Sequence, residues 1–389
     1  MKMRGISINS AIILVAFLLS VLAHKGYGES SSYSGRLSFT KSSQSFDPAF
    51  TRLILLRDFD SDGDLDAVFS NCTLFDSRVW LNNGNGLFTA TEQLLSKQAH
   101  GIDAGDLDGD GDLDLFITCH YFVKDGVSYH LSSKVYLNDG NAVFYDNGQD
   151  FGDSLLSGNV VNLYDIDGDD DLDAMIQYFQ EPDRIYFNNG KAQFSLSNLS
   201  FPDFSTFGDL DNDGKEDILA SVPGIGYEVW RGNGDGTFTK AGQLTDSTAT
   251  PSPVSLGDLD QDGDLDAVIT RFYSNDSFQL KIWYNDGKGG FEQSNIELPV
   301  VFRGSVTLGD LDNDGFIDAV AASHGSEVFI LINDGSGKLI DTGIRLGEKS
   351  DKNESAALGD IDNDGDLDIF VAEGRGGKNV IWLNEMVKE

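Results

Sequence analysis

The sequence predicts an all-β fold, a seven-bladed β-propeller, and three observations carry that prediction. A nine-residue acidic loop of the form D-x-D-x-D-G-x-x-D starts at Asp58, Asp106, Asp165, Asp209, Asp258, Asp310 and Asp360, in steps of 48, 59, 44, 49, 52 and 50 residues. A period near fifty belongs to stacked or radial repeat architectures. Each loop runs directly into an apolar, β-prone segment such as Asp368-Ile-Phe-Val-Ala372, which reads as a strand. Beyond a variable stretch comes another strand ending in an Asn-Gly, Asp-Gly or Gly-rich turn, as in Lys281-Ile-Trp-Tyr-Asn-Asp-Gly-Lys-Gly-Gly-Phe291, which is a hairpin signal. With the strand that enters the loop, each repeat holds four antiparallel strands, the unit of a propeller blade, and seven repeats fall within the usual range of blades.

From the N-terminus, residues 1–23 carry Lys2 and Arg4, then an apolar run from Ala11 to Ala23 that ends Val-Leu-Ala. This is the pattern of a secretory signal peptide cleaved after Ala23. The run is shorter than the roughly 20 residues a membrane-spanning helix needs. The mature chain is therefore expected outside the cytoplasm and without membrane insertion. Residues 24–34 form a short segment and 35–389 the propeller. The last repeat stops at Val380-Ile-Trp-Leu-Asn-Glu-Met386 and lacks the G-x-F outer strand of the other six, while Ser34-Gly-Arg-Leu-Ser-Phe-Thr40 resembles Asp235-Gly-Thr-Phe-Thr239. Residues 35–46 are thus expected to complete blade seven and close the ring.

The loops carry the chemistry. Their candidate ligand positions 1, 3, 5, 7 and 9 are Asp58, Asp60, Asp62, Asp64 and Asp66; Asp106, Asp108, Asp110, Asp112 and Asp114; Asp165, Asp167, Asp169, Asp171 and Asp173; Asp209, Asp211, Asp213, Lys215 and Asp217; Asp258, Asp260, Asp262, Asp264 and Asp266; Asp310, Asp312, Asp314, Phe316 and Asp318; and Asp360, Asp362, Asp364, Asp366 and Asp368. Hard Ca²⁺ takes six to eight oxygen ligands, and alternating carboxylates around a sharp turn supply them. Up to seven Ca²⁺ are expected. Only a main-chain carbonyl ligand at position 7 tolerates Lys215 and Phe316. In the third loop Asp170 replaces the Gly of position 6; Asp adopts a left-handed backbone at modest cost, so a weakened site is expected there. An EF-hand would need a bidentate Glu at position 12, where the chain has Phe69, Ile117, Ile176, Ala220, Ile269, Ala321 and Val371.

The formal net charge of −37 rests on 64 acidic residues, of which 34 are aspartates of the loops. The acidity is mostly a metal signature, and what remains disfavours nucleic acid, whose phosphates need a basic surface. A hydrophobic content of 40% in patterned strands argues against disorder. Cys72 and Cys119 lie just past corresponding strands of neighbouring repeats, as either a disulfide or two buried thiols. Trp80, Tyr136, Tyr186, Trp230, Trp283, Leu331 and Trp382 occupy one equivalent strand position, and so regular a stripe points to packing between blades rather than a sugar platform.

At Phe207-Gly208-Asp-Leu-Asp-Asn-Asp-Gly214 the chain resembles the FG-GAP or VCBS repeats of integrin α-subunit propellers, some seven-bladed lectins and many secreted bacterial proteins. The resemblance covers about residues 35–385, and the Gly-Ala-Pro half of the motif is absent. It implies calcium loops on one face of the ring and ligand contacts on the other, in the loops after the second strand and between blades. By that topology the longest variable loop is Thr118–Lys134 of blade two, with His120, Tyr121, Phe122, Tyr129 and His130; blade three adds Tyr178 and Phe179, and blade five Arg271, Phe272 and Tyr273. Aromatic and polar side chains on loops suit a glycan or extracellular protein ligand. His100 and His324 are isolated in sequence and receive no role. The expected function is a secreted calcium-binding module for ligand binding or adhesion; the alternative is a polysaccharide lyase or hydrolase built on His120, His130, Tyr129 and Arg271. No G-x-S-x-G elbow, H-E-x-x-H pair or dinucleotide-binding glycine fingerprint is present.

Overall fold

The computed structural model describes residues 37–386 except 48, 73–74, 125–126, 130, 152–155, 180, 203–204, 246–252, 273–277, 295–303, 350 and 375. The expected signal peptide, residues 24–34, His130 and Tyr273 lie outside the described residues. Seven antiparallel four-stranded sheets make the seven blades. Among the described residues there is no helix, and none long and apolar enough to cross a membrane.

Each blade begins with an inner strand, and these are Thr51–Arg57, Ala99–Gly105, Gly158–Tyr164, Ser205–Gly208, Val254–Gly257, Gly304–Gly309 and Asn353–Gly359. The acidic loop then turns the chain into the second strand, which is buried on both sides. In blade one, Ala67 and Phe69 face blade seven while Val68 faces blade two. That split follows from the two-residue period of a strand. Repeated around the ring, it produces seven apolar clusters, each shared by two adjacent blades. The aromatic stripe belongs to this packing. Trp80, Tyr136, Tyr186, Trp230, Trp283, Leu331 and Trp382 all pair with the second residue of the second strand, and Trp80 stacks on Phe69 at 5.4 Å.

The ring closes as the sequence predicts. Phe39–Lys41 forms the outer strand of blade seven, with Phe39 opposite Asn384, Thr40 opposite Leu383 and Lys41 opposite Trp382. The segment then crosses back to blade one through Phe46, which is 1% exposed and packs against Phe69, Trp80, Phe88 and Phe370. No disulfide joins Cys72 and Cys119, which are both buried thiols. The Cys72 thiol donates to the carbonyl of Ala99 at 3.5 Å.

Replacing Phe46 with Ala empties the joint between blades one and seven. A loss of about 3–5 kcal/mol, the usual range for Phe→Ala in a core, is expected in denaturant unfolding. A loss below about 1 kcal/mol would show that the N-terminal segment does not lock the ring.

Candidate metal loops and the opposite face

The fixed point of each loop is its ninth residue. Asp66, Asp114, Asp173, Asp217, Asp266, Asp318 and Asp368 are buried. One carboxylate oxygen of each accepts the N–H of loop position 2 and the other accepts the N–H at the end of the third strand, at 2.7–3.1 Å. The same aspartate therefore folds the loop and ties it to its blade. In six blades the residue ending the third strand is an asparagine: Asn82, Asn138, Asn188, Asn285, Asn333 and Asn384. Its side-chain amide donates to the position-2 carbonyl of the preceding blade's loop at 2.7–2.9 Å. Gly232 stands at this place in blade four, keeping the backbone bond to Asp217 and losing the side-chain bridge. Sequence reasoning missed these asparagines, although the recurrent Asn before each hairpin turn was their signal.

Within the loop, the position-6 N–H donates to a carboxylate oxygen of position 1 at 2.9–3.1 Å in all seven copies. Asp170 keeps this bond at φ +71°, in the left-handed region that Gly occupies in the other six. In six loops the position-7 side chain lies over a glycine of the turn that follows the third strand. Asp64 lies over Gly84, whose φ is +72° and whose missing Cβ would sit 2.6 Å from the Asp64 carboxylate. Lys215 and Phe316 occupy the same place over Gly234 and Gly335. This orientation fits a main-chain rather than a side-chain role at position 7.

Carboxylate oxygens of Asp58, Asp60 and Asp62 lie within 4.8 Å of one another, as do those of Asp106, Asp108 and Asp114, of Asp165, Asp167 and Asp173, of Asp209, Asp211 and Asp217, and of Asp258, Asp260 and Asp262. One buried oxygen of Asp60, Asp167, Asp211, Asp260 and Asp362 has no hydrogen-bond partner. An all-oxygen donor set with desolvated lone pairs fits a hard divalent cation. Burial, then the neighbouring carboxylates, raises the pKa of Asp60, Asp108, Asp167, Asp260 and Asp362. At position 9, burial outweighs two backbone hydrogen bonds and pushes the pKa up to about 6 for Asp66 and Asp217 and about 7 for Asp114, Asp173, Asp266, Asp318 and Asp368. Loop four differs from the others. Arg231 pairs with Asp211 at 2.9 Å and Lys215 with Asp213 at 3.1 Å, so protein cations already balance two of its candidate ligands.

Position 4 links the loops. Asn212 donates to Asp264 at 2.5 Å, Gln261 to the carbonyl of Gly315 at 2.6 Å, Asn313 to Asp366 at 2.9 Å and Asn363 to Asp64 at 2.7 Å. Loops four, five, six, seven and one are thereby joined in series. Position 4 of loops one to three is Ser61, Gly109 and Gly168, which have no amide to reach across.

The variable segments lie at the other end of the blades. In blade two the predicted loop contains an added hairpin, Phe122–Lys124 with Val127–Tyr129, and Phe122 opposes Tyr129. Arg271 and Phe272 end the second strand of blade five, across the ring from blade two. Tyr178 proves to be core rather than surface: it is buried, bonded to the Tyr186 hydroxyl at 2.9 Å, and lies under the Arg184 guanidinium. His120, Tyr121 and Phe179 do come together. His120 stacks on Tyr121 at 4.9 Å and meets Phe179 at 6.0 Å. His100, to which sequence gave no role, stacks on the other face of this group, 4.4 Å from His120. His324 forms a backbone bridge to Lys352.

The FG-GAP-like repeat family model matches residues 58–117, 209–269 and 310–371, in each case two successive acidic loops with the strands between them and the start of the strand that follows. The chain carries FG-GAP-like repeats. It is 26% identical over 250 residues to the T-cell immunomodulatory protein of Mus musculus and 25% over 252 residues to that of Rattus norvegicus, in each case across 60% of this chain and 39% of the relative. The chain thus spans about two fifths of the length of these curated relatives. Among solved structures, the BP39L lectin from Burkholderia pseudomallei superposes with a TM-score of 0.63 at 10% identity, over 86% of this chain and 96% of the lectin. BBS1N, in its complex with ARL6DN, gives 0.55 at 11% identity, over 90% and 97%. These two likenesses concern the propeller fold alone.

Two outcomes follow from the loop geometry. Asp170→Gly relieves a left-handed backbone and is expected to stabilise the protein by about 1 kcal/mol; a destabilised variant in denaturant unfolding would mean that the Asp170 side chain is needed where it stands. The position-9 carboxylates, raised in the folded state from 3.8 to about 6–7, favour folding fully below about pH 4. That contribution is lost as pH rises toward 7. Thermal melts in chelator should therefore show a midpoint falling across this window, and a rising midpoint would contradict the burial of these groups.

Proposed function

We propose that the chain is a secreted, calcium-stabilised propeller that acts as a ligand-binding or adhesion module for a glycan or extracellular protein. The observation that carries this reading is the division of labour between the two faces. One face is spent on seven acidic loops bound to their blades by the same aspartate and, in six cases, to each other's blades by asparagine. The other bears the variable segments, including the added hairpin of blade two and the His120–Tyr121–Phe179 group. Repeated, rigid elements beneath variable loops are how scaffolds present binding residues. The T-cell immunomodulatory proteins, similar over part of their length, are consistent with a protein-facing role.

Calcium would be held by the carboxylates of positions 1, 3, 5 and 9 and the main-chain carbonyl of position 7. Bound there, it supplies the positive charge that the clustered aspartates lack. At about 1 mM free Ca²⁺, a site with a dissociation constant of about 0.1 mM stabilises the native state by roughly 1.4 kcal/mol. Seven such sites would reach about 10 kcal/mol, comparable with the whole stability of a typical domain. The melting temperature should rise steeply from chelator to millimolar calcium, and magnesium, which demands a smaller octahedral shell, should reproduce little of the rise. Equal midpoints in chelator and calcium would overturn the calcium reading. The binding role is tested by screening the mature protein against glycan and cell-surface protein panels with and without calcium; release of reducing or unsaturated ends from a polysaccharide would point to the enzyme instead.

A further inference from the structure

Four consecutive blades share an irregularity in their inner strands. In the inner strands of blades seven, one, two and three, the register slips by one residue at the same step, between Asn353 and Ser355, Thr51 and Leu53, Ala99 and Gly101, and Gly158 and Val160. The inner strand of blade six pairs through the same step without a slip. A bulge leaves one residue out of the ladder and re-aims its side chain, which is why bulges gather beside functional sites. Here the four extra residues are Glu354, Arg52, His100 and Asn159.

Three of these side chains meet. Arg52 bonds His100 Nδ1 at 2.9 Å and Asn159 Oδ1 at 3.0 Å, and Asn159 also hydrogen-bonds His100. The bond from blade one to blade three passes beyond blade two, and inner strands come that close only around the propeller axis. The group therefore lies at the mouth of the central channel, at the end of the inner strands away from the acidic loops. Blade seven is fastened to it where Ser355 Oγ donates to the Arg52 carbonyl at 2.8 Å. Arg52 is 8% exposed, and the Glu354 carboxylate acts on it as counter-charge. Burial pushes the Cys72 thiol up to about 12, and burial together with Arg52 lowers the pKa of His100 and His120. The cluster is thus charge-balanced, with neutral imidazoles and a neutral thiol around a paired guanidinium.

Above it stand the rings. His100, His120 and Tyr121 form a continuous stack with interplanar angles of 25°, Phe179 leans on His120, and Tyr121 and Phe179 are 41% and 37% exposed. A polar network held rigid by three blades, topped by flat aromatic faces and carrying no surplus charge, matches a ligand with an apolar face and a rim of neutral hydroxyls. A pyranose has that construction: its axial C–H face lies on a π-system, and its hydroxyls donate and accept in fixed directions. Resting on the binding-module reading above, we infer that the channel mouth formed by blades seven, one, two and three is a binding site for a neutral saccharide. Tyr121, Phe179 and His120 form its platform, and Arg52, His100, Asn159 and Glu354 its polar floor.

The test uses the mature protein in saturating calcium, titrated by calorimetry with the methyl glycosides of glucose, galactose, mannose, fucose and N-acetylglucosamine, and with glucuronate and glucosamine as charged comparisons. At least one neutral glycoside should bind, in preference to both charged sugars, and the Tyr121→Ala/Phe179→Ala double variant should bind it at least tenfold more weakly. Both side chains are exposed, so the double variant should melt at the wild-type temperature, which separates loss of the site from loss of the fold. His120→Ala provides a second disruption of the stack and should weaken binding in the same direction. Undiminished saccharide binding by the double variant would overturn this placement while leaving a binding module in being. Binding of the charged sugars alone, or of none of these sugars while a protein ligand is captured, would overturn the ligand class without touching the broader reading.

Discussion

The buried aspartate at position 9 is the constraint on which the rest of the molecule depends. Taking a carboxylate out of water is costly unless its oxygens are satisfied, and here two backbone N–H groups from different elements satisfy it. Once that bond pair forms, the loop's path, the second strand's start and the third strand's end are fixed together. The asparagine that follows extends the same bond network to the neighbouring blade. Blade geometry and ring geometry thus come from one nine-residue unit and one amide, repeated with small changes.

The changes are informative. Blade four has Gly232 in place of the asparagine, Lys215 at position 7 and Arg231 on Asp211; it has exchanged a bridge between blades for internal charge compensation. Its Glu216 stands where the other loops have Leu or Ile, and burial pushes its pKa up to about 7. The linked arc of loops runs from blade four to blade one, whereas the described bulges run from blade seven to blade three and blade six has none. The two faces therefore break the sevenfold repeat in different places, as expected if one is adjusted for stability and the other for contact.

Much of the fold was legible because it is written in periods. The loop repeat gave the number of blades, alternation in segments such as Asp368–Ala372 gave strands buried on both sides, and the spare Gly35–Thr40 motif gave the closure. Residues meeting across blades were not legible. His100 looked isolated because its partners, Arg52, His120 and Asn159, lie in three other segments, and a one-residue bulge leaves no mark in composition or turn signals. Tyr178 was misplaced for a related reason: an aromatic at the end of a strand reads alike whether it turns outward or, as here, back onto Tyr186.

The closure has a consequence for how the molecule bears load and how it is made. The strand Phe39–Lys41 meets its partner only after more than three hundred intervening residues have been threaded into place, so the ring passes through an open, crescent-like stage in which blade seven has a bare edge. That clasp is three residue pairs long, as are the outer-strand pairings of blades one, two and five, but those three join neighbouring segments of chain and this one joins its two ends. A pull on the two ends of the chain would peel it apart from the Phe39–Asn384 pair inward, opening the ring as a clasp opens a bracelet and leaving blade seven with three strands.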